Sequence, residues 1–169
     1  MPRSSWAQIT VGGRIPVQAF NACLTAGYGS QWCLPPCDQI LRQIVTDRLS
    51  DHKTCRLNHW TLTAHGLTLA CDEIRNGMFD TIEEWLQIQN IPFYRETGGC
   101  HGEWLPAVRA YIPLEINTEY PCDEQHNALI HLQHIHALLK DMITLDEFKA
   151  TLTREYPVIP PLPPVFFAD

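Results

Sequence analysis

The chain has 169 residues, 45% hydrophobic and 18% charged, enough for one domain with a real core. Its formal charge of −7 is uneven: residues 1–58 carry six Lys or Arg against three acidic residues, and residues 59–169 carry six against sixteen, so the balance runs from +3 to −10. An acidic body argues against a dedicated nucleic-acid binder, which needs a basic patch for phosphates, and no apolar run reaches the roughly 18–20 residues that span a bilayer.

The first residues, Met1-Pro2-Arg3-Ser4-Ser5, lack the apolar core of a signal peptide. The seven cysteines fall at 23, 33, 37, 55, 71, 100 and 122, an odd count without a dense framework. Reduced thiols, several of them core residues, and a soluble cytoplasmic protein are the expectation.

Residues 6–11 alternate as a strand does, with Ala7, Ile9 and Val11 on one side. Gly12-Gly13 breaks it, Pro16 suits the first turn of a helix, and Val17, Phe20, Cys23 and Leu24 recur at helical spacing up to a stop at Gly27. Residues 28–38 are irregular, with Gly29, Pro35 and Pro36. Ile40, Leu41, Ile44, Val45 and Leu49 predict a second helix over 39–49, and residues 50–58 read as a polar loop. Residues 59–71 are β-like around Gly66, a hairpin or a bulged strand. Asp80 with Glu83 three residues on resembles a capping box, and Ile82, Trp85, Leu86 and Ile88 supply the buried stripe of the helix that Pro92 forbids to continue.

Residues 91–96 and 103–112 read as two strands around Gly98-Gly99-Cys100-His101-Gly102. Asp123 caps a longer helix to about Met142 with Leu129, Leu132, Ile135, Leu138 and Leu139 inward, and a last helix spans 146–155. Residues 158–169 are Pro-rich and not helical. The pattern is α+β: a mixed or antiparallel sheet with helices packed on one face, in a loosely split-βαβ-like arrangement, plus C-terminal helices and a Pro-rich tail. Residues 1–157 read as one compact domain and 158–169 as the tail.

No complete catalytic motif is present. Cys100-His101, at a loop tip between glycines, is the weak catalytic candidate, because a nucleophilic thiol needs a neighbouring base. The glycines of such a loop are also explained by turn geometry. Cys33 and Cys37, three residues apart, with Cys55 and His59 further on, could assemble a zinc site, and zinc is the one cofactor the sequence leaves open. A single CxxxC without a second pair makes free thiols the stronger reading. His131 and His134 share a helix face but form no HExxH. Gly12-Gly13-Arg14 before a helix is neither a Walker loop nor a dinucleotide fingerprint. Arg42, Arg48, His52, Lys53, Arg56 and His59 read as a solvated face rather than a basic patch.

The tail Pro160-Pro161-Leu162-Pro163-Pro164 favours polyproline II. It can dock on a partner or fold back as a clasp, with Val165, Phe166 and Phe167 packed on its own domain. These features favour a non-catalytic accessory or regulatory protein that binds another protein, with Gly99, Cys100, His101, Pro160, Pro161, Phe166 and Phe167 as contacts. Homo-oligomerisation stays open. A zinc- or thiol-dependent protein and an acidic inhibitor of a nucleic-acid enzyme are the alternatives.

Overall fold

The computed structural model describes residues 4–49, 54–75, 79–99, 105–123, 125, 127–141 and 144–169. These form an α+β fold of nine strands and five helices. Among the described residues no helix is long and apolar enough to cross a membrane.

Strand β1 (Ser4–Val11) is followed by the short β2 (Arg14–Pro16) and helix α1 (Val17–Tyr28). Helix α2 (Cys37–Leu49), strands β3 (Cys55–Leu57), β4 (Trp60–Thr63) and β5 (Gly66–Arg75), and helix α3 (Asp80–Ile88) come next. Then follow β6 (Phe93–Thr97), β7 (Ala107–Ile112), β8 (Ile116–Pro121), α4 (Leu132–Asp141), α5 (Leu145–Glu155) and β9 (Phe166–Ala168). Seven strands make one antiparallel sheet in the order β3-β4-β5-β1-β6-β7-β8, and β2 pairs with β9 in a small parallel one. Since β5 and β6 both run antiparallel to β1, which lies between them, the path β1–α1–β4–β5–α3–β6 is the split-βαβ connection, extended by β3 on one side and β7–β8 on the other.

Period-two alternation divides the sheet into two faces. The inner face carries Leu57, Trp60, Leu67, Leu69, Ala7, Ile9, Val11 and Phe93, all buried, under Phe20 and Leu24 of α1 and Ile82 and Leu86 of α3. Each of the Leu, Ile, Val and Phe side chains contributes roughly 1.5–3 kcal/mol. Phe20 sits between Trp60 and Trp85, with ring centroids at 5.4 and 5.2 Å.

The glycine stop of α1 lies two residues beyond the expected position. Gly29, at φ 94°, ends the helix and its N–H reaches the Leu24 carbonyl at 3.1 Å. Gly27 instead lets α1 approach α3, since a Cβ there would lie 2.9 Å from Thr81 Cγ2. Five further expectations need correction. Residues 55–57 are strand rather than loop, because Cys55 and Leu57 alternate inward around exposed Arg56. Leu41, Val45 and Ile88 are exposed. Residues 116–121 add a strand after β7. Asp123 does not cap α4: its Oδ1 accepts the Gln125 and Asn127 N–H groups in a local turn, and the helix starts at Leu132. Helix α4 buries no residue fully, and Leu132 and Leu139 are exposed. Helix α5 begins at a complete capping box of Thr144 and Glu147.

Towards β6–β8 the inner face changes from apolar to charged. Cross-strand partners Arg95, Arg109 and Glu119 lie side by side, and Glu83 of α3 descends on them. Glu83 Oε1 lies 2.9 Å from Arg95 Nε and accepts from the Phe79 N–H at 3.1 Å, and its Oε2 lies 3.2 Å from Arg109 Nε. Glu119 completes the ring, 2.7 Å from an Arg95 nitrogen and 3.6 Å from Arg109. Burial pushes the Glu83 carboxyl up from its ordinary value, while Arg95, the Phe79 N–H and Arg109 pull it back.

The tail folds back on the domain. Gly13 N–H donates to the Pro163 carbonyl at 3.1 Å and Phe166 N–H to the Gly13 carbonyl at 2.9 Å. Leu162 is buried, Val165 and Phe167 pack against the core, and Phe166 stays exposed.

Two stability outcomes follow from this packing. Glu83→Leu leaves Glu119 as the one carboxylate for two guanidiniums, buried Arg95 among them, so it should lose about 3–5 kcal/mol in urea unfolding. A loss below about 1 kcal/mol would mean that the network does not hold α3 to the sheet. Leu162→Ala should lose about 2–3 kcal/mol, and removal of residues 158–169 more. A melting temperature unchanged by that truncation would contradict the docked tail.

Candidate binding groove

The second face of the sheet presents Thr68, Gln8, Thr10, Tyr94, Glu96, Val108, Ala110, Thr118 and Tyr120. The chain returns across this face after α5. Thr118 Oγ1 donates to the Glu155 carbonyl at 3.2 Å, the Tyr120 and Tyr156 rings meet edge-on at 5.7 Å, and Leu162 reaches Gly12 at the end of β1. Between sheet and tail lies a hollow of about 580 Å³ walled by Tyr94, Glu96, Val108, Tyr120 and the run from Tyr156 to Pro161.

A second hollow of about 330 Å³ adjoins it and shares Glu96 and Val108. Its other walls include Trp6, Gly98, Gly99, Pro106, Cys122 and Asp123. The Gly98 N–H donates to the Trp6 carbonyl at 3.0 Å, and the Trp6 ring lies against the glycine so closely that no Cβ fits there. A third depression, about 700 Å³, follows β8 and shares Tyr120, Tyr156 and Pro157 with the first. His134 and Glu155, joined at 2.6 Å, form its far wall with Arg154. The three make one groove of tyrosine, proline and carboxylate.

The sites expected from the sequence divide around this groove. Gly99, Pro160 and Pro161 border it, although about sixty residues separate them. Phe166 and Phe167 lie elsewhere, in β9, one outward and one inward. Cys100 and His101 fall outside the described residues. His131 is exposed just before α4. Sequence reading did not anticipate Tyr94, Glu96, Tyr120 and Tyr156; the alternation of β6 was the one available signal.

Cys33, Cys37, Cys55 and His59 each have a separate neighbour. Cys33 Sγ lies 3.2 Å from Thr25 Oγ1 and 3.5 Å from the Asn21 carbonyl, and His59 stacks on Trp32. Among the described residues no three His, Cys, Asp or Glu side chains converge as metal ligands. The loop of residues 29–36, which invited a zinc, is held by side-chain hydrogen bonds instead. Asn21 brackets Leu34 with bonds of 2.7 and 2.9 Å, Asn58 Nδ2 reaches the Cys33 carbonyl at 2.7 Å, and Trp60 Nε1 reaches the Trp32 carbonyl at 2.8 Å.

Burial, then the neighbouring Asp169 carboxylate, pushes the Cys37 thiol up to about 11, and burial with Asp47 pushes Cys55 up to about 12. Both groups are thiols, not thiolates, at neutral pH. Alkylation by iodoacetamide at pH 8, followed by peptide mass spectrometry, should find both slower than free cysteine by about a hundredfold or more, and faster as pH rises. Either one reacting as quickly as free cysteine would contradict these surroundings.

No protein-family model, no curated protein and no solved structure matches this chain.

Proposed function

We propose that this chain is a non-catalytic accessory or regulatory protein that binds another protein through the outer-face groove. The observation that carries the reading is the convergence of two sequence features, the base of the Gly98-Gly99 loop and the Pro160-Pro161 segment, on hollows that share Glu96 and Val108. Rigid tyrosine and proline surfaces give contact area at low entropic cost, and the rim has polar groups to orient a ligand. The fit is to an extended segment of a partner, since the first hollow lies between the sheet and the returning tail. A cytoplasmic setting accords with the six described cysteines, all of them free thiols.

The two other readings have less support. A zinc- or thiol-dependent role would need thiols that converge or ionise; among the described residues no three ligands converge, and burial holds Cys37 and Cys55 protonated. An acidic inhibitor of a nucleic-acid enzyme rests on net charge, of which Glu83 and Glu119 are already matched by Arg95 and Arg109.

A photo-crosslinking residue at position 94, inside the groove, should give a discrete protein adduct in cells, and the same group at exposed position 149 should not. Equal adducts from both positions, or none from position 94, would count against the groove as the binding surface.

A further inference from the structure

The sheet treats its two edges differently. Strand β3 has three residues and is backed by α2, whereas β8 has six and no strand pairs with its open side among the described residues. Edges of that length normally carry protection such as lysine, proline or a covering element. Here proline stands only at Pro121, the last position.

The register fixes which backbone groups face outward. In an antiparallel ladder, pairs that exchange hydrogen bonds alternate with pairs that do not. Cys122 N–H donates to the Pro106 carbonyl at 2.9 Å, so counting along the register puts Tyr120, Thr118 and Ile116 in bonded pairs. Asn117, Glu119 and Pro121 then turn their backbone away from β7. Pro121 confirms the count, because its carbonyl accepts from Leu129 N–H at 2.8 Å on the open side. The chain's own residues 128–129 thus begin a strand addition there, with Cys122 bridged to Ala128, and go no further. The N–H and C=O groups of Asn117 and Glu119 remain aimed into the 700 Å³ depression.

Residues 115–121, of both parities, line that depression, so it follows the strand edge rather than one face. Its opposite wall is His134 and residues 154–157. That wall stands opposite the strand edge, with about 700 Å³ between them. The lining holds Glu115, Glu119 and Glu155 with Arg154 and His134; Glu155 is joined to His134 and Glu119 to Arg95, so exposed Glu115 is the carboxylate left to meet a cation. Successive residues of an added strand would face Glu119 on one side and the Tyr120–Tyr156 pair on the other.

We propose that the open edge of β8 receives, by strand addition, an extended segment of a partner protein in which basic and apolar residues alternate. This rests on the reading of the outer face as a protein-binding surface, but it can fail by itself, because crosslinking at position 94 reads the neighbouring hollow and not the edge. Main-chain hydrogen bonds supply the affinity and alternate side chains the preference.

The probe is an acetylated, amidated octapeptide of alternating lysine and valine, titrated against the full chain with backbone amide NMR as readout. Saturable binding with shifts at residues 115–120 is expected. Asn117→Pro removes one outward N–H without touching the ladder, and it should weaken binding about five- to tenfold while the protein keeps its melting temperature. N-methylation of the peptide at alternate residues should abolish binding in one phase and spare it in the other, a test that needs no protein variant. Glu115→Lys should weaken the lysine peptide several-fold and favour a glutamate–valine peptide. Absence of binding up to about 1 mM, equal binding of both N-methyl phases, or equal binding of lysine and glutamate peptides would overturn the proposal. So would a concentration-dependent dimer that shifts the same residues without any peptide.

Discussion

The carboxylate of Glu83 is the point on which the right-hand half of the sheet depends. It is 4% exposed, yet it meets two guanidinium groups, and one of these, Arg95, is 2% exposed. Charges taken so far out of water are costly, and only mutual pairing with good hydrogen bonds offsets the cost. The four side chains form a formally neutral set, two carboxylates with two guanidiniums. A slip of one residue between β6, β7 and β8 would turn an arginine or a glutamate to the other face and leave a buried charge unmatched. The network therefore specifies register where the apolar core has thinned out.

That register decides the character of the outer face. With Arg95 and Arg109 turned inward, Tyr94, Glu96 and Val108 must face outward, and the opposite face of β8 then presents Thr118 and Tyr120. The same alternation provides a floor for the returning chain: Thr118 holds the end of α5, and Tyr120 holds Tyr156. From there the tail runs to Gly12 and Gly13, where backbone hydrogen bonds fix it beside β1. One buried carboxylate and one docked tail thus set the two walls of the groove, from opposite sides of the sheet.

Elements with strong apolar periodicity and marked ends were legible in the sequence. β1, α1, α2, the β4–β5 hairpin, α3 and α5 appear close to their expected positions, and so does the α+β order. The failures share a cause, which is local chemistry without its usual sign. The β7–β8 turn passes through Pro113 and Leu114, and Leu114 holds φ 66° without the glycine or asparagine that would announce a hairpin. Asp123 looked like a helix cap because a turn that its carboxylate closes uses the same residue type. Residues 55–57 are too short for alternation to stand out. The groove could not be read at all, since it exists only after residues near 95, 108, 120 and 158 are brought together. Sequence spacing could single out Gly99 and Pro160 but had no means of joining them. Phe166 and Phe167 were read as a pair, yet strand geometry sends them to opposite sides.

Glu119 belongs both to the buried network and to the wall of the β8 depression, and this sets the balance of forces there. An approaching cation must compete with Arg95, already 2.7 Å away and held in a water-poor site. A new ion pair at a 44% exposed carboxylate adds at most about 1 kcal/mol, and less where the acceptor is already shared. Four main-chain groups on Asn117 and Glu119 offer more, each about 1 kcal/mol in a sheltered slot, and they impose direction and spacing as well. Charge at this edge can bias the choice among extended segments, with exposed Glu115 free to respond. The requirement that the segment be extended comes from the backbone.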